Sequence, residues 1–146
     1  MTKKPEVDIL NSFKDTGPVD LDSLEVGRQM LRVFFRISQV WALSLDQEMG
    51  LLGASRSQID LLKRDEPLSD GLPDDMIERL SCITRIYAGL KVLLPIPERA
   101  AAWLRALDAI PVFSGQAALD RLASGQAGDL MAVAEYLESQ LTGDFG

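Results

Sequence analysis

The sequence contains no histidine and one cysteine. The first absence removes the commonest general base and the commonest metal ligand. Together the two exclude a usual zinc site and the Ser-His or Cys-His nucleophile pairs. Cys82 has no partner for an internal disulfide and sits in an apolar helical pattern, so it reads as a small buried hydrophobe. A reduced, cytoplasmic setting is the expectation. No apolar run reaches the ~18 residues that a membrane span needs. The lysines of MTKKPEVDIL are followed by no apolar stretch, which excludes a secretory signal from the expected features. Carboxylates are scattered and no phosphate-binding glycine loop is present, so no catalytic residue, metal or cofactor is expected, and the chain does not read as an enzyme.

Positive charge is also missing from one end. After Arg121 there is no cation, while Asp129, Glu135, Glu138 and Asp144 remain. The net charge is -7, and its distribution is uneven. Residues 23–66 carry six basic and six acidic groups, whereas residues 67–146 carry six basic against eleven acidic. A nucleic-acid surface is therefore confined to the middle of the chain, because phosphate repels the C-terminal part.

What is present suits a small globular protein. In 146 residues, 47% are hydrophobic and 25% charged, enough for a real core in one domain or two very small ones. The expected fold class is all-α. Residues 1–21 mix charges with Gly17-Pro18 and read as a mobile arm. Asp22 or Ser23 is placed to cap a first helix. Leu24, Gly27, Leu31, Phe34, Ser38 and Trp41 recur at steps of three and four, with Val26, Met30, Val33, Ile37 and Val40 as a second stripe. Arg28, Arg32 and Arg36 form a row on the opposite face, which reads as solvated.

Two short helices follow. Ser44 with Gln47, and then Ser55, mark their starts, and Gly53 supplies the tight turn between them. Two short helices joined by a glycine turn form a helix-turn-helix. Across residues 22–66 this arrangement resembles the helix-turn-helix of Xre-type repressors. The resemblance implies that the second helix enters the major groove, with Ser55, Arg56, Ser57, Gln58 and Lys63 as its DNA-binding residues. Met49 stands where the repressor pattern has a small alanine before the turn.

Residues 67–72 form a linker. Pro73 opens a long helix that stops before Pro95 and Pro97, with Ile77, Leu80, Ile83, Tyr87, Leu90 and Leu94 as its inner stripe and Ile86 and Leu93 as a second. An apolar helix with two such faces suggests a homodimer. Pro97 starts the next helix, with Ala100, Trp103, Leu104 and Leu107 inward. Ser114 is a cap for a short helix that ends at Gly125, and Asp129 for a last helix buried through Leu130, Val133, Ala134, Leu137 and Leu141.

The order Trp103-Leu104, Phe113 to Gly115, the L-x-x-L-A-S-G run from Leu119 to Gly125, and D-L-x-x-V-x-x-Y-L from Asp129 to Leu137 resembles the toxin-binding domain of the Xre/MbcA/ParS-like antitoxin family. The likeness covers residues 72–141, and residues 73–146 are the expected toxin-binding and dimerisation domain. Gln116-Ala117-Ala118-Leu119 departs from the Ser-Pro-Leu of the family's short helix. The resemblance implies an antitoxin that neutralises a RES-type, NAD-consuming toxin and represses its own operon. Its partners would be that toxin, operator DNA and a second copy. A site that holds a pyrophosphate is cationic. The acidic last helix and tail therefore supply the expected toxin-binding residues: Glu135, Glu138, Leu141, Thr142, Asp144 and Phe145. The alternative is a stand-alone helix-turn-helix regulator whose C-terminal module serves dimerisation.

Overall fold

A computed structural model describes residues 21–107, 110, 113 and 115–143. Residues 1–20 of the N-terminal arm, Ser114, Asp144 and Phe145 lie outside the described residues, and the short helix that Ser114 was expected to cap starts at Ala118 behind Ala117, which is its N-cap residue. Seven helices and no strand occur among the described residues, so the all-α expectation holds. They are α1 (Leu21–Trp41), α2 (Leu45–Leu52), α3 (Arg56–Leu62), α4 (Asp74–Leu93), α5 (Pro97–Arg105), α6 (Ala118–Leu122) and α7 (Ala127–Thr142). No single helix among them is long and apolar enough to cross a membrane.

The helix ends follow local chemistry in most places. Ser44 and Ser55 each form a full capping box, accepting from the amides of Gln47 and Gln58 while those side chains bond back to the serine amides. Gly53 ends α2 with φ +64°, in the left-handed region that glycine enters without strain. Pro97 opens α5 at its first position, where the missing N–H costs nothing. Other starts differ from the expectation. α1 begins at Leu21, which puts Asp22 and Ser23 inside its first turn rather than ahead of it. α7 begins at Ala127, capped only by the backbone of Gln126, so Asp129 is not its cap. The Asp129 carboxylate is occupied instead by Arg121 at 2.9 Å and the Ser124 hydroxyl at 2.8 Å.

One hydrophobic cluster runs from Leu31 to Leu137 and joins every helix. At its centre α4 and α7 lie side by side with the most extensive contact in the molecule. Both chains advance in the same direction along this contact: Arg79 meets Gly125, Arg85 meets Glu138, and Gly89 abuts Leu137 and Leu141. Gly89 allows that approach, because a Cβ there would stand 3.3 Å from the Leu137 Cβ. α1 also runs along α4 in the same direction: Val26 and Met30 line one hollow with Ile77 and Ser81, and further on the Trp41 and Tyr87 rings lie 6.3 Å apart.

Three side chains assigned to simple faces behave otherwise. Arg28 is 4% exposed, not solvated, and donates from Nη1 to the Leu62 carbonyl at 2.9 Å. It caps the C-terminal end of α3, where free carbonyls attract a cation. Leu107 is 68% exposed because α5 ends at Arg105, two residues before it. Leu141 is 41% exposed, since the last turn of α7 runs past the neighbours that cover Leu137.

Candidate functional site

Of the two short helices joined at Gly53, α3 lies on the surface. Ile59 is buried and anchors it, while Ser55, Arg56, Ser57 and Gln58 are exposed. Arg56 and Ser57 have the outward placement that the major-groove reading requires. The other three side chains have tasks within the chain. Ser55 and Gln58 are committed to the capping box, with the Gln58 Oε1 accepting from the Ser55 amide at 2.7 Å. Lys63 lies 2.9 Å from Glu48 and sits over the Phe35 ring. Glu48 is buried, and its other oxygen accepts from the Ser38 hydroxyl at 2.6 Å. A buried carboxylate needs such partners, because desolvation without them is costly. Lys63 therefore neutralises the carboxylate that joins α2 to α1.

A buried arginine sets the position of this region on the rest of the protein. Arg79 is 7% exposed and uses its whole guanidinium. Nε donates to Asp75 at 2.7 Å, Nη1 to the carbonyls of Gly50 and Leu51, and Nη2 to the Gly125 carbonyl at 2.8 Å. The C-terminal carbonyls of α2 are thereby tied to the L-A-S-G loop. Beside this joint, a Cβ on Gly50 would overlap the backbone of Ala123, so the loop and α2 touch backbone to backbone. A second strap joins α5 to α1, where Arg105 donates to the carbonyls of Trp41 at 2.7 Å and Ala42 at 3.0 Å.

Sequence reasoning missed these arginines. The signal for Arg79 was present: it replaces a hydrophobe in the series Met76, Arg79, Ile83, Ile86, Leu90, all of which are buried. A charge in the inner stripe of a helix has to meet acceptors.

The acidic end is arranged differently from the simple expectation. Glu135 is exposed. Glu138 is held by Arg85 in a two-point ion pair of 2.9 and 2.7 Å. The hydrogen bond from Arg85 holds the Glu138 carboxyl below its usual pKa. Its charge is thus partly spoken for inside the chain. Leu141 and Thr142 are exposed at the end of α7. Nearby, the last turn of α4 carries Val92, 67% exposed, and Leu93, 37% exposed, followed by Ile96 at 49%. Because α4 and α7 are parallel and Gly89 already lies beside Leu141, the turn after Gly89 extends to the level of the α7 C-terminus. The end of α7 at Leu141 thus lies beside Gly89, one turn before the exposed Val92 and Leu93; of these side chains, periodicity had placed Leu93 and Leu141 inside. Patches of this kind on a small protein mark interaction sites.

No cluster of three potential metal-binding side chains occurs among the described residues. Burial pushes the Cys82 thiol up from its ordinary pKa, which leaves it protonated and a poor nucleophile at neutral pH.

Among curated proteins, the chain is similar to one from Sinorhizobium fredii (strain NBRC 101917 / NGR234) described as "Uncharacterized protein y4oB". The two are 39% identical over 114 residues, covering 77% of this chain and 84% of the other. No protein-family model matches the chain, and no solved structure matches it.

Proposed function

We propose that this chain, which belongs to the same family as the rhizobial y4oB protein, is a cytoplasmic antitoxin. It neutralises a RES-type, NAD-consuming toxin by direct binding and represses its own operon through the helix-turn-helix. The observation that supports this reading is the set of exposed apolar side chains Val92 and Leu93 at the end of α4, Ile96 after it and Leu141 at the end of α7. It stands on the module that resembles a toxin-binding domain and has no reactive group beside it. An inhibitor needs a shaped surface and no chemistry of its own. Exposed apolar side chains on a module that also carries carboxylates suit a partner whose cleft is cationic. Glu135 is exposed on α7, while Glu138 is shared with Arg85.

A second reading, a stand-alone transcriptional regulator, draws on the outward placement of Arg56 and Ser57 on a firmly capped α3. Co-expression with a RES-domain protein encoded beside this chain separates the two. The antitoxin reading expects co-purification of the pair and restored growth, both lost on deleting residues 141–146. Full neutralisation by the truncated chain would overturn the placement of the contact. Tight operator binding without any toxin interaction would favour the regulator.

A further inference from the structure

We propose that the groove between α1 and α4 is a docking site for the chain's own N-terminal arm, in which residues 7–13 lie as a short helix antiparallel to α1. The proposal is independent of the toxin and stands on a different surface from the α4–α7 end.

The first observation is an apolar groove that the described residues leave uncovered. Val26, Met30 and Val33 follow one another at steps of four and three on α1, and none of them is buried. Between them and Ser81 and Thr84 of α4 lies a space of about 670 Å³. It continues past Ile77 towards Asp74 as a second hollow of about 540 Å³. Ser81 is small and exposed, which lets a helix come close to the ridge of α4.

The length and pattern of the preceding chain select the occupant. The groove starts at Val26, five residues after α1 opens at Leu21. From Phe13 to Leu21 the chain can extend about 26 Å, whereas Val33 lies about 18 Å along α1 from Leu21. Gly17-Pro18 supplies the reversal. Wound as a helix, residues 7–13 put Val7, Ile9, Leu10 and Phe13 on one face and Asp8, Asn11 and Ser12 on the other. Such a helix is about 9 Å long, against about 10 Å from Val26 to Val33. So short a helix does not hold in water and needs a surface to form on. A tether of this length gives the arm a local concentration on the order of millimolar, which favours it over a free partner of like affinity. Charge selects the direction. Glu25 and Arg85 are engaged within the chain, by Arg32 and Glu138. Asp74 and Glu78, at the N-terminal end of the groove, are exposed and have no salt bridge among the described residues. Antiparallel docking sets Phe13 beside Val26 and brings Lys14 to these two carboxylates. Parallel docking would carry Lys14 to the Arg85 end. The docked arm keeps the α1–α4 face dry, and any partner that takes this face has to displace it.

The test is disulfide closure within the full chain, with paired cysteines in a Cys82→Ala background and mild oxidation by diamide. Val7→Cys with Val33→Cys is expected to close about tenfold faster than Val7→Cys with Val26→Cys, although Val26 lies nearer to the tether and a free arm would favour it. Lys14→Glu is expected to slow the first closure several-fold, and Glu78→Lys to restore it. As a second measure, a chain lacking residues 1–16 is expected to bind an anilinonaphthalene dye more brightly than the full chain. Equal closure rates, disulfides only between chains, or no gain in dye binding on truncation would overturn the docked arm. Faster closure at Val26, or closure indifferent to Lys14→Glu, would overturn the antiparallel arrangement.

Discussion

The two ends of α4 are built from opposite materials. At its N-terminal end Arg79 is buried and spends its guanidinium on Asp75 and on the carbonyls of Gly50, Leu51 and Gly125. At its C-terminal end the contact is apolar, with Gly89 against Leu137, and then the helix runs on into the exposed Val92 and Leu93. Directional bonds to backbone carbonyls fix one geometry, because each acceptor left unpaired in the interior has a cost. Apolar surface fixes no geometry until something covers it. The first end is a joint between α2 and the loop after α6. The second is the surface proposed to receive a partner.

The sharpest way to break this contrast is at the joint. Arg79→Ala leaves three carbonyls without their donor and is expected to cost about 3–5 kcal/mol, seen as a lower midpoint in urea unfolding. Gly50→Ala drives a methyl group into the Ala123 backbone, and an expected cost of about 2–3 kcal/mol follows from overpacking at a contact that cannot relax as a side chain would. At the open end the expectation reverses. Val92→Asp is a surface change, expected to alter stability by no more than about 0.5 kcal/mol, yet to abolish co-purification with the toxin. Equal stability losses at the two ends would dissolve the distinction between them.

The smallest expected effect concerns pH. Arg85 lowers the pKa of Glu138 in the folded chain. A carboxylate with a lowered folded pKa adds stability above its unfolded pKa, near 4.5, and loses that contribution as pH falls through the folded value. Glu138→Gln should therefore lower stability slightly at neutral pH and converge with the wild type as pH falls, which flattens the acid side of its profile. The pair is exposed, so salt should weaken the difference further. A large change at neutral pH would give Glu138 a different role.

Much of this fold is legible in the sequence because its punctuation is local. Ser44, Ser55, Gly53 and Pro97 act within four residues of their own positions, and each does in the structure what its chemistry dictates. The inner stripes of α1 and α4 follow from periodicity: Leu31, Phe34, Ser38 and Trp41 are buried, as are Leu80, Ile83 and Leu90, while Tyr87 is partly so. What escapes is chemistry between distant segments. Arg28 reads as one of three solvated arginines until the C-terminal end of α3, 34 residues away, is placed beside it. Gly50 looks like an ordinary helical glycine until the L-A-S-G loop arrives against it. The acidic end shows the same limit, for Glu138 has a neighbour on α4 that no spacing within α7 reveals. Periodicity tells which face a residue occupies; it does not tell whether that face meets water, carbonyls or a distant segment.

On the proposed function, the open end of α4 and α7 holds the toxin and stops its reaction. The direct measurement is NAD consumption by the purified RES-domain protein during titration with this chain. Stoichiometric loss of activity is expected with the wild type, and no loss with a folded Val92→Asp, Leu141→Asp double variant. Inhibition by that variant at wild-type strength, or none by the wild type, would contradict it.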